Sequence, residues 1–240
     1  MGNGSNTLFC DDEYSGVVIS LSDDFKKIEK KSDTEIFCGS GALLSSVCTF
    51  ARENSLSGME ALFGIPASIG GATFMNAGAY GSEMKDVVTE VYTVSLSGEE
   101  KTFLLSDCKF SYRHSVFMDK NHIITGVKIK LRTGNKEEIT ALMNEYMKRR
   151  SDKQPLEFPS AGSVFKRPVG HFAGSLIEQC GLKGYTIGGA QVSEKHAGFI
   201  INKGNATCED VLSLVAYIQK AVLDKFGVKL DCEIRPIRQE

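Results

Sequence analysis

Three side chains in this 240-residue sequence have the chemistry to act on a small anionic substrate: Arg113, Ser163 and Glu233. Arg113 sits in Tyr112-Arg113-His114-Ser115, between strand-like segments, where a guanidinium can stabilise a developing anion. Ser163 sits in Gly162-Ser163-Val164-Phe165-Lys166, a hydroxyl in a small-residue setting with no Gly-x-Ser-x-Gly elbow. Glu233 lies within the alternating run Val228–Ile234, on its polar face and beside Arg235. Taken singly, each has an ordinary alternative: a surface arginine, a turn serine, a solvated carboxylate.

The second feature is a place to hold a ligand. Gly64-Ile65-Pro66-Ala67-Ser68-Ile69-Gly70-Gly71-Ala72 is followed by Asn76-Ala77-Gly78-Ala79-Tyr80-Gly81. Glycines permit positive φ and close backbone approach, and amides exposed in such turns bind phosphate oxygens without a charged side chain. The same composition suits a tightly packed connector. The run is neither Gly-x-Gly-x-x-Gly after a strand nor a Walker loop. Between Glu60 and Glu83 lie 22 residues without a charge, but Pro66, five glycines and Asn76 argue against a membrane-spanning helix.

The elements that must position these groups read as a mixture of helices and strands. Strands are expected at Gly16–Leu21, Glu35–Cys38, Val87–Leu96, around Val127–Leu131 and at Val228–Ile234, from their alternation and β-branched content. Helices are expected at Ala42–Asn54, Lys136–Arg150 and His171–Cys180, and from Thr207, where Asp210 completes a cap-like pattern. Ser151–Pro159 reads as a connector. The absence of strict strand–helix alternation argues for an α+β fold.

Bulk properties exclude several classes. With 28 basic and 30 acidic residues the net charge is −2, which gives no electrostatic reason to expect nucleic acid or a membrane surface as partner. Hydrophobic content of 42% is that of an ordinary globular protein. Seven cysteines without a Cys-x-x-Cys pair, and four scattered histidines, imply no metal site and fit a reducing cytoplasm.

Gly4-Ser5-Asn6, the Gly64–Gly81 run, Tyr112-Arg113-x-Ser115, Pro159-Ser160-Ala161-Gly162-Ser163-Val164-Phe165, Leu176-Ile177-Glu178 and His196-Ala197-Gly198-Phe199-Ile200-Ile201-Asn202 occur in that order. The succession resembles the UDP-N-acetylenolpyruvoylglucosamine reductase (MurB) family over essentially the whole chain, and is closer to its shorter, second type. The resemblance implies an FAD-binding domain of the vanillyl-alcohol-oxidase (PCMH) type in residues 1–133, and a smaller α+β substrate-binding domain in 134–240. It implies a cytoplasmic, monomeric oxidoreductase of peptidoglycan synthesis, serving cell wall biogenesis, cell shape and cell division. Such an enzyme uses NADPH and FAD to reduce UDP-N-acetylglucosamine enolpyruvate to UDP-N-acetylmuramate.

By that resemblance Ser163 matches the proton donor, and Arg113 and Glu233 match the pair that polarises the substrate carboxylate. Asn3, Gly4, Ser5, Asn6, Gly64, Ile65, Pro66, Ser68, Ile69, Gly70, Gly71, Asn76, Gly78, Ala79, Tyr80 and Val127 fall at flavin-contacting positions. Lys153, Arg167 and His196 fall at diphosphate and substrate contacts. Ala67 stands where the family usually has Gly, and His114 where it usually has an acidic or polar residue. A strand–helix–strand lobe precedes the Gly-Ser-Asn loop in the family, whereas here Met1 directly precedes that loop. Two other readings share the glycine run: a flavoprotein of the same superfamily with another substrate, and a non-catalytic UDP-sugar-binding remnant.

Overall fold

The computed structural model describes residues 1–119 and 121–238. The chain forms two compact units, one of Met1–Asn3 with Val18–Arg150, the other of Gly4–Val17 with the residues from Ser151 onward.

The first unit is built on a five-stranded antiparallel sheet in the order Ile28–Lys30, Glu35–Gly39, His122–Lys130, Val88–Ser95, Glu100–Leu104. Its register aligns Ile36 with Ile129, and Cys38 and Val91 with Val127. All five side chains are buried in one core, as expected for inward positions of strands with a side-chain period of two. The Leu44–Glu53 helix adds Leu44, Val47, Cys48 and Ala51 to that core from one face. The glycine-rich run contributes a short helix, Ile69–Phe74, whose first turn is capped by Ser68: its hydroxyl accepts from the Gly71 N–H at 3.2 Å.

The second unit carries a four-stranded antiparallel sheet in the order Ser160–Ser163, Phe199–Asn202, Ala190–Val192, Thr186–Ile187. A separate parallel pair joins Thr7–Phe9 to Arg235–Ile237. The Cys208–Phe226 helix is held at its start by the reciprocal Thr207–Asp210 box and at its end by Gly227 at φ 67°. Leu214, Ile218 and Val222 pack from it into a core shared with Ile177, Val192 and Leu230.

The compact units divide after Arg150, and residues 4–17 cluster with the second unit. The reason is the Lys136–Lys153 helix, whose Ile139 and Met143 are buried in the first core. That helix also runs three residues past the basic cluster that was read as its end. Gly16–Leu21 forms no strand, and Val17 and Ile19 are exposed, since the run pairs with no strand among the described residues. Val228–Ile234 is likewise not a ladder. It meets Val164–Lys166 around one isolated bridge, Phe165–Cys232, through Lys166 N–H to Asp231 O and Glu233 N–H to Val164 O. The regular strand begins one residue later, at Arg235.

Candidate active site

The predicted residues fall into two groups, one in each unit. In the first unit, Met1–Asn3 and the glycine-rich run come together although more than sixty positions separate them. Asn3 Nδ2 donates to Pro66 O at 2.8 Å. A Cβ on Gly2 would lie 2.5 Å from Ser68 Oγ and 3.5 Å from Gly71 Cα, so any side chain there would fill the space over the run. Gly64, Ile65, Gly71, Gly78 and Ala79 are partly exposed beside it, and Pro66 and Tyr80 are exposed. The result is a stretch of accessible, side-chain-poor backbone of the kind that lets a cofactor approach closely, with Arg150 beside Gly64 and Arg113 bonded to Gly78 O.

Positive φ does occur here, but at Asn76 (43°), Tyr80 (52°) and Gly81 (87°), not at Gly64, Gly70 or Gly71. Gly70 is required for a different reason. A Cβ there would lie 2.7 Å from Ser40 Cβ and 2.9 Å from Ser40 O, and its N–H donates to Ser40 O at 2.9 Å. The hydroxyls of Ser40 and of Thr73, within the adjacent helix, are buried without a hydrogen-bond partner.

Of the positions expected at the flavin, Ile69, Asn76 and Val127 are each 0% exposed. Ile69 and Val127 are core residues. Asn76 is consumed internally: Nδ2 donates to Glu83 Oε2 and to Ser111 O, both at 2.9 Å, and Oδ1 accepts from the Lys85 N–H at 2.9 Å. Tyr80 stacks on Tyr146 with ring centroids 4.7 Å apart.

Arg113 lies in a tight turn closed by mutual N–H to C=O bonds between Ser111 and His114, both 3.1 Å. Its φ is 52°, a conformation costly for any side chain bearing a Cβ. Nη2 donates to Gly78 O at 3.2 Å. Glu83 is the residue that sequence reasoning overlooked. Partial burial raises its pKa, but hydrogen bonds from Lys85 and Asn76 and the charges of Lys85 and Arg113 outweigh that and hold it below the ordinary carboxylate range. The one available signal is that Glu83 ends the uncharged stretch.

In the second unit Ser163 and Glu233 lie on adjoining segments. Ser163 ends the irregular Ser160–Ser163 strand opposite Phe199, and the next residue, Val164, accepts the Glu233 N–H at 2.7 Å. The Gly4-Ser5-Asn6 loop packs against the same segments. Asn6 Nδ2 donates to Glu233 O at 3.1 Å, and Asn6 O accepts from the Arg235 N–H at 3.0 Å. Gly162, at φ 83°, would place a Cβ 3.7 Å from Ser5 O. The structure thus brings together two residues expected to catalyse and the loop expected to touch the cofactor. Arg113 belongs to the other unit.

Of the three expected substrate contacts, Lys153 and Arg167 are exposed, and the Arg167 guanidinium lies 4.6 Å from the Phe172 ring centroid. His196 is partly buried, and its Nδ1 accepts from the Gly198 N–H at 3.0 Å. Desolvation holds its pKa below the ordinary histidine value, with the charges of Lys183 and Lys153 acting in the same direction. The ring is therefore neutral at pH 7.

Two family models match the chain in succession. Residues 1–103 match the FAD binding domain family, and residues 154–237 match the C-terminal domain of UDP-N-acetylenolpyruvoylglucosamine reductase. A flavin-binding domain followed by this C-terminal domain, both of mixed helix and strand, defines a two-domain flavoprotein oxidoreductase.

The chain is 50% identical over 240 residues to UDP-N-acetylenolpyruvoylglucosamine reductase of Caldanaerobacter subterraneus subsp. tengcongensis, covering 100% of this chain and 79% of that protein. It is 47% identical to the Listeria monocytogenes serotype 4a reductase, covering 100% and 80%. The crystal structure of the reductase (MurB) from Thermus caldophilus superposes with a TM-score of 0.86 at 37% identity, covering 98% of this chain and 84% of that one. The chain belongs to the UDP-N-acetylenolpyruvoylglucosamine reductase family. No helix among the described residues is long and apolar enough to cross a membrane.

Proposed function

We propose that this chain reduces the enolpyruvyl double bond of UDP-N-acetylglucosamine enolpyruvate to give UDP-N-acetylmuramate, with NADPH as reductant and FAD as relay. The observation that carries the reading is end-to-end similarity to named reductases at up to half identity. In the first unit, the Met1–Asn3 segment and the exposed backbone of Gly64–Pro66, Gly71 and Gly78–Tyr80 would hold the cofactor. By the resemblance, Gly4, Ser5 and Asn6 are further cofactor contacts. The fit rests on the close approach of Gly2 to the run, where a Cβ would lie 2.5 Å from Ser68 Oγ. When bound, FAD supplies two-electron chemistry, accepting hydride from NADPH and delivering it to the substrate.

The protein's own residues manage charge and proton. Hydride addition to an enol ether conjugated with a carboxylate builds negative charge on that carboxylate. Arg113 steadies it by its charge and Glu233, in its protonated form, by a hydrogen bond, and groups set in place beforehand lower such a barrier because no reorganisation is needed as the charge forms. Ser163 Oγ gives its proton to the substrate carbon. A lone hydroxyl is a weak acid, so this role depends on charged neighbours. Lys153 and Arg167 suit the UDP diphosphate as cations. His196, being neutral, suits a hydrogen bond rather than an ion pair. The enzyme is read as a cytoplasmic monomer, with an N-terminal flavin domain and a C-terminal substrate domain.

Anaerobic titration tests the reading. The FAD-loaded protein should lose its long-wavelength absorbance on adding NADPH and regain it on adding the enolpyruvyl UDP-sugar. Bleaching by NADPH without recovery by that substrate would overturn the substrate assignment.

A further inference from the structure

We infer that Asn76 is a positioning residue that locks the Arg113 turn to the glycine-rich run, so that cofactor cradle and substrate-facing cation move as one piece. The inference rests on the role proposed above for Arg113.

Ser111–His114 is a four-residue loop closed by its own pair of backbone bonds, and it holds a β-carbon-bearing arginine at positive φ. Such a conformation persists only where the surroundings over-determine it. One short segment, Phe74–Gly78, bonds the turn at three points. Phe74 O accepts from the Ser115 hydroxyl at 2.6 Å, on the C-terminal side of the turn. Asn76 Nδ2 donates to Ser111 O at 2.9 Å, on the N-terminal side. Gly78 O accepts from the arginine itself at 3.2 Å.

Asn76 is the member of this set that cannot be replaced by a simpler contact. It is 0% exposed, and both amide hydrogens and the carbonyl oxygen are used. The second hydrogen goes to Glu83, whose carboxylate also meets Lys85 Nζ at 2.7 Å. One side chain therefore ties the turn, the acid that shares Arg113's electrostatic field, and the backbone of the glycine-rich run. Asn is suited to this twice over, since it tolerates positive φ and carries donor and acceptor on one short stem. Asp at 76 would keep the acceptor for Lys85 N–H but lose both donors, and would set a carboxylate against Glu83.

The test compares Asn76→Asp, Arg113→Ala and the double variant in the FAD-loaded protein, by stopped-flow measurement of the two half-reactions. Flavin reduction by NADPH should stay within about twofold of wild type in all three. Reoxidation by the enolpyruvyl UDP-sugar should fall by roughly ten- to a hundredfold in Asn76→Asp, the size expected when a catalytic group is displaced rather than removed. In the Arg113→Ala background, Asn76→Asp should add nothing further, because the two act as one unit. Wild-type reoxidation in Asn76→Asp, or an equal loss in both backgrounds, would overturn the positioning role. Wild-type reoxidation in Arg113→Ala would instead overturn the role of Arg113 itself. Should Asn76→Asp fail to retain flavin, Glu83→Gln, at a partly exposed position, takes its place. It should slow reoxidation by about two- to fivefold only while Arg113 is present, and no effect there would equally overturn the inference.

Discussion

At Ser163 the question is whether a hydroxyl at the end of an irregular strand does chemistry or only packing. Its Oγ donates weakly, at 3.5 Å, to Phe165 O two residues on, so the local fold gains little from it. Replacing it with Ala should leave melting temperature and flavin reduction by NADPH nearly unchanged. Reoxidation by substrate should fall by at least about a hundredfold, the scale of losing a positioned acid; equal loss of both half-reactions would show that the role is misassigned. His196 carries a pH prediction. Its pKa is depressed in the folded state by desolvation first, so folding favours the neutral ring. That stability is present above the ordinary histidine pKa of 6.5 and is lost as pH falls through it. Urea midpoints measured from pH 8 to pH 5 should therefore decline, and His196→Gln should flatten that decline. Much of this was legible residue by residue: the motif order placed Ser163, Glu233 and the glycine-rich run. What the sequence could not disclose was which side chains of the run face inward. Ile69, Asn76 and Val127 look like their neighbours in the sequence, and only the register and the Asn76 hydrogen bonds show them spent on the interior.

At the scale of elements, legibility followed the strength of local signals. The helix from Thr207 was predictable because its cap is written in the sequence, and the structure shows both halves of the box: Thr207 Oγ1 accepts from the Asp210 N–H at 3.1 Å, and Asp210 Oδ2 accepts from the Thr207 N–H at 3.0 Å. Thr207→Ala should cost about 1 kcal/mol of stability in urea denaturation, without altering flavin spectra. The Leu44–Glu53 helix was found within two residues of its expected start for the same kind of reason, a periodic apolar face. Strands fared worse where alternation was not matched by a partner. Val228–Ile234 alternates as cleanly as any strand in the chain, yet pairs through one bridge. Alternation reports which face is buried, not whether a neighbouring backbone lies alongside for more than a residue or two. The Lys136–Lys153 helix was placed but cut short, because a cluster of Lys and Arg suits a helix end without imposing one.

At the scale of the molecule there are two cores, one centred on Ile36, Val91 and Val127, the other on Ile177, Leu214 and Ile218. Leu214 is 0% exposed. Leu214→Ala should cost about 2–5 kcal/mol by leaving a cavity, and differential hydrogen exchange should locate the loss in the second unit, with protection of the Val88–Ser95 and His122–Lys130 strands retained. The chain does not visit these cores in order. It leaves the first unit after Asn3, contributes Gly4–Val17 to the second, and returns. Asn6 and Glu233, bonded side chain to backbone, are 227 positions apart, and the strand at Thr7 finds its partner at Arg235. On the ribosome, this order of assembly has a cost. The first unit's sheet can close once residue 130 has emerged, whereas Thr7–Phe9 must wait, an unpaired strand edge, until Arg235–Ile237 has been made. Non-local pairing of this kind is intrinsically slow and leaves a nascent chain open to wrong partners. The second unit is thus the later to mature, and the loop that bonds the Glu233 backbone is fixed only after residues 233–235 have emerged.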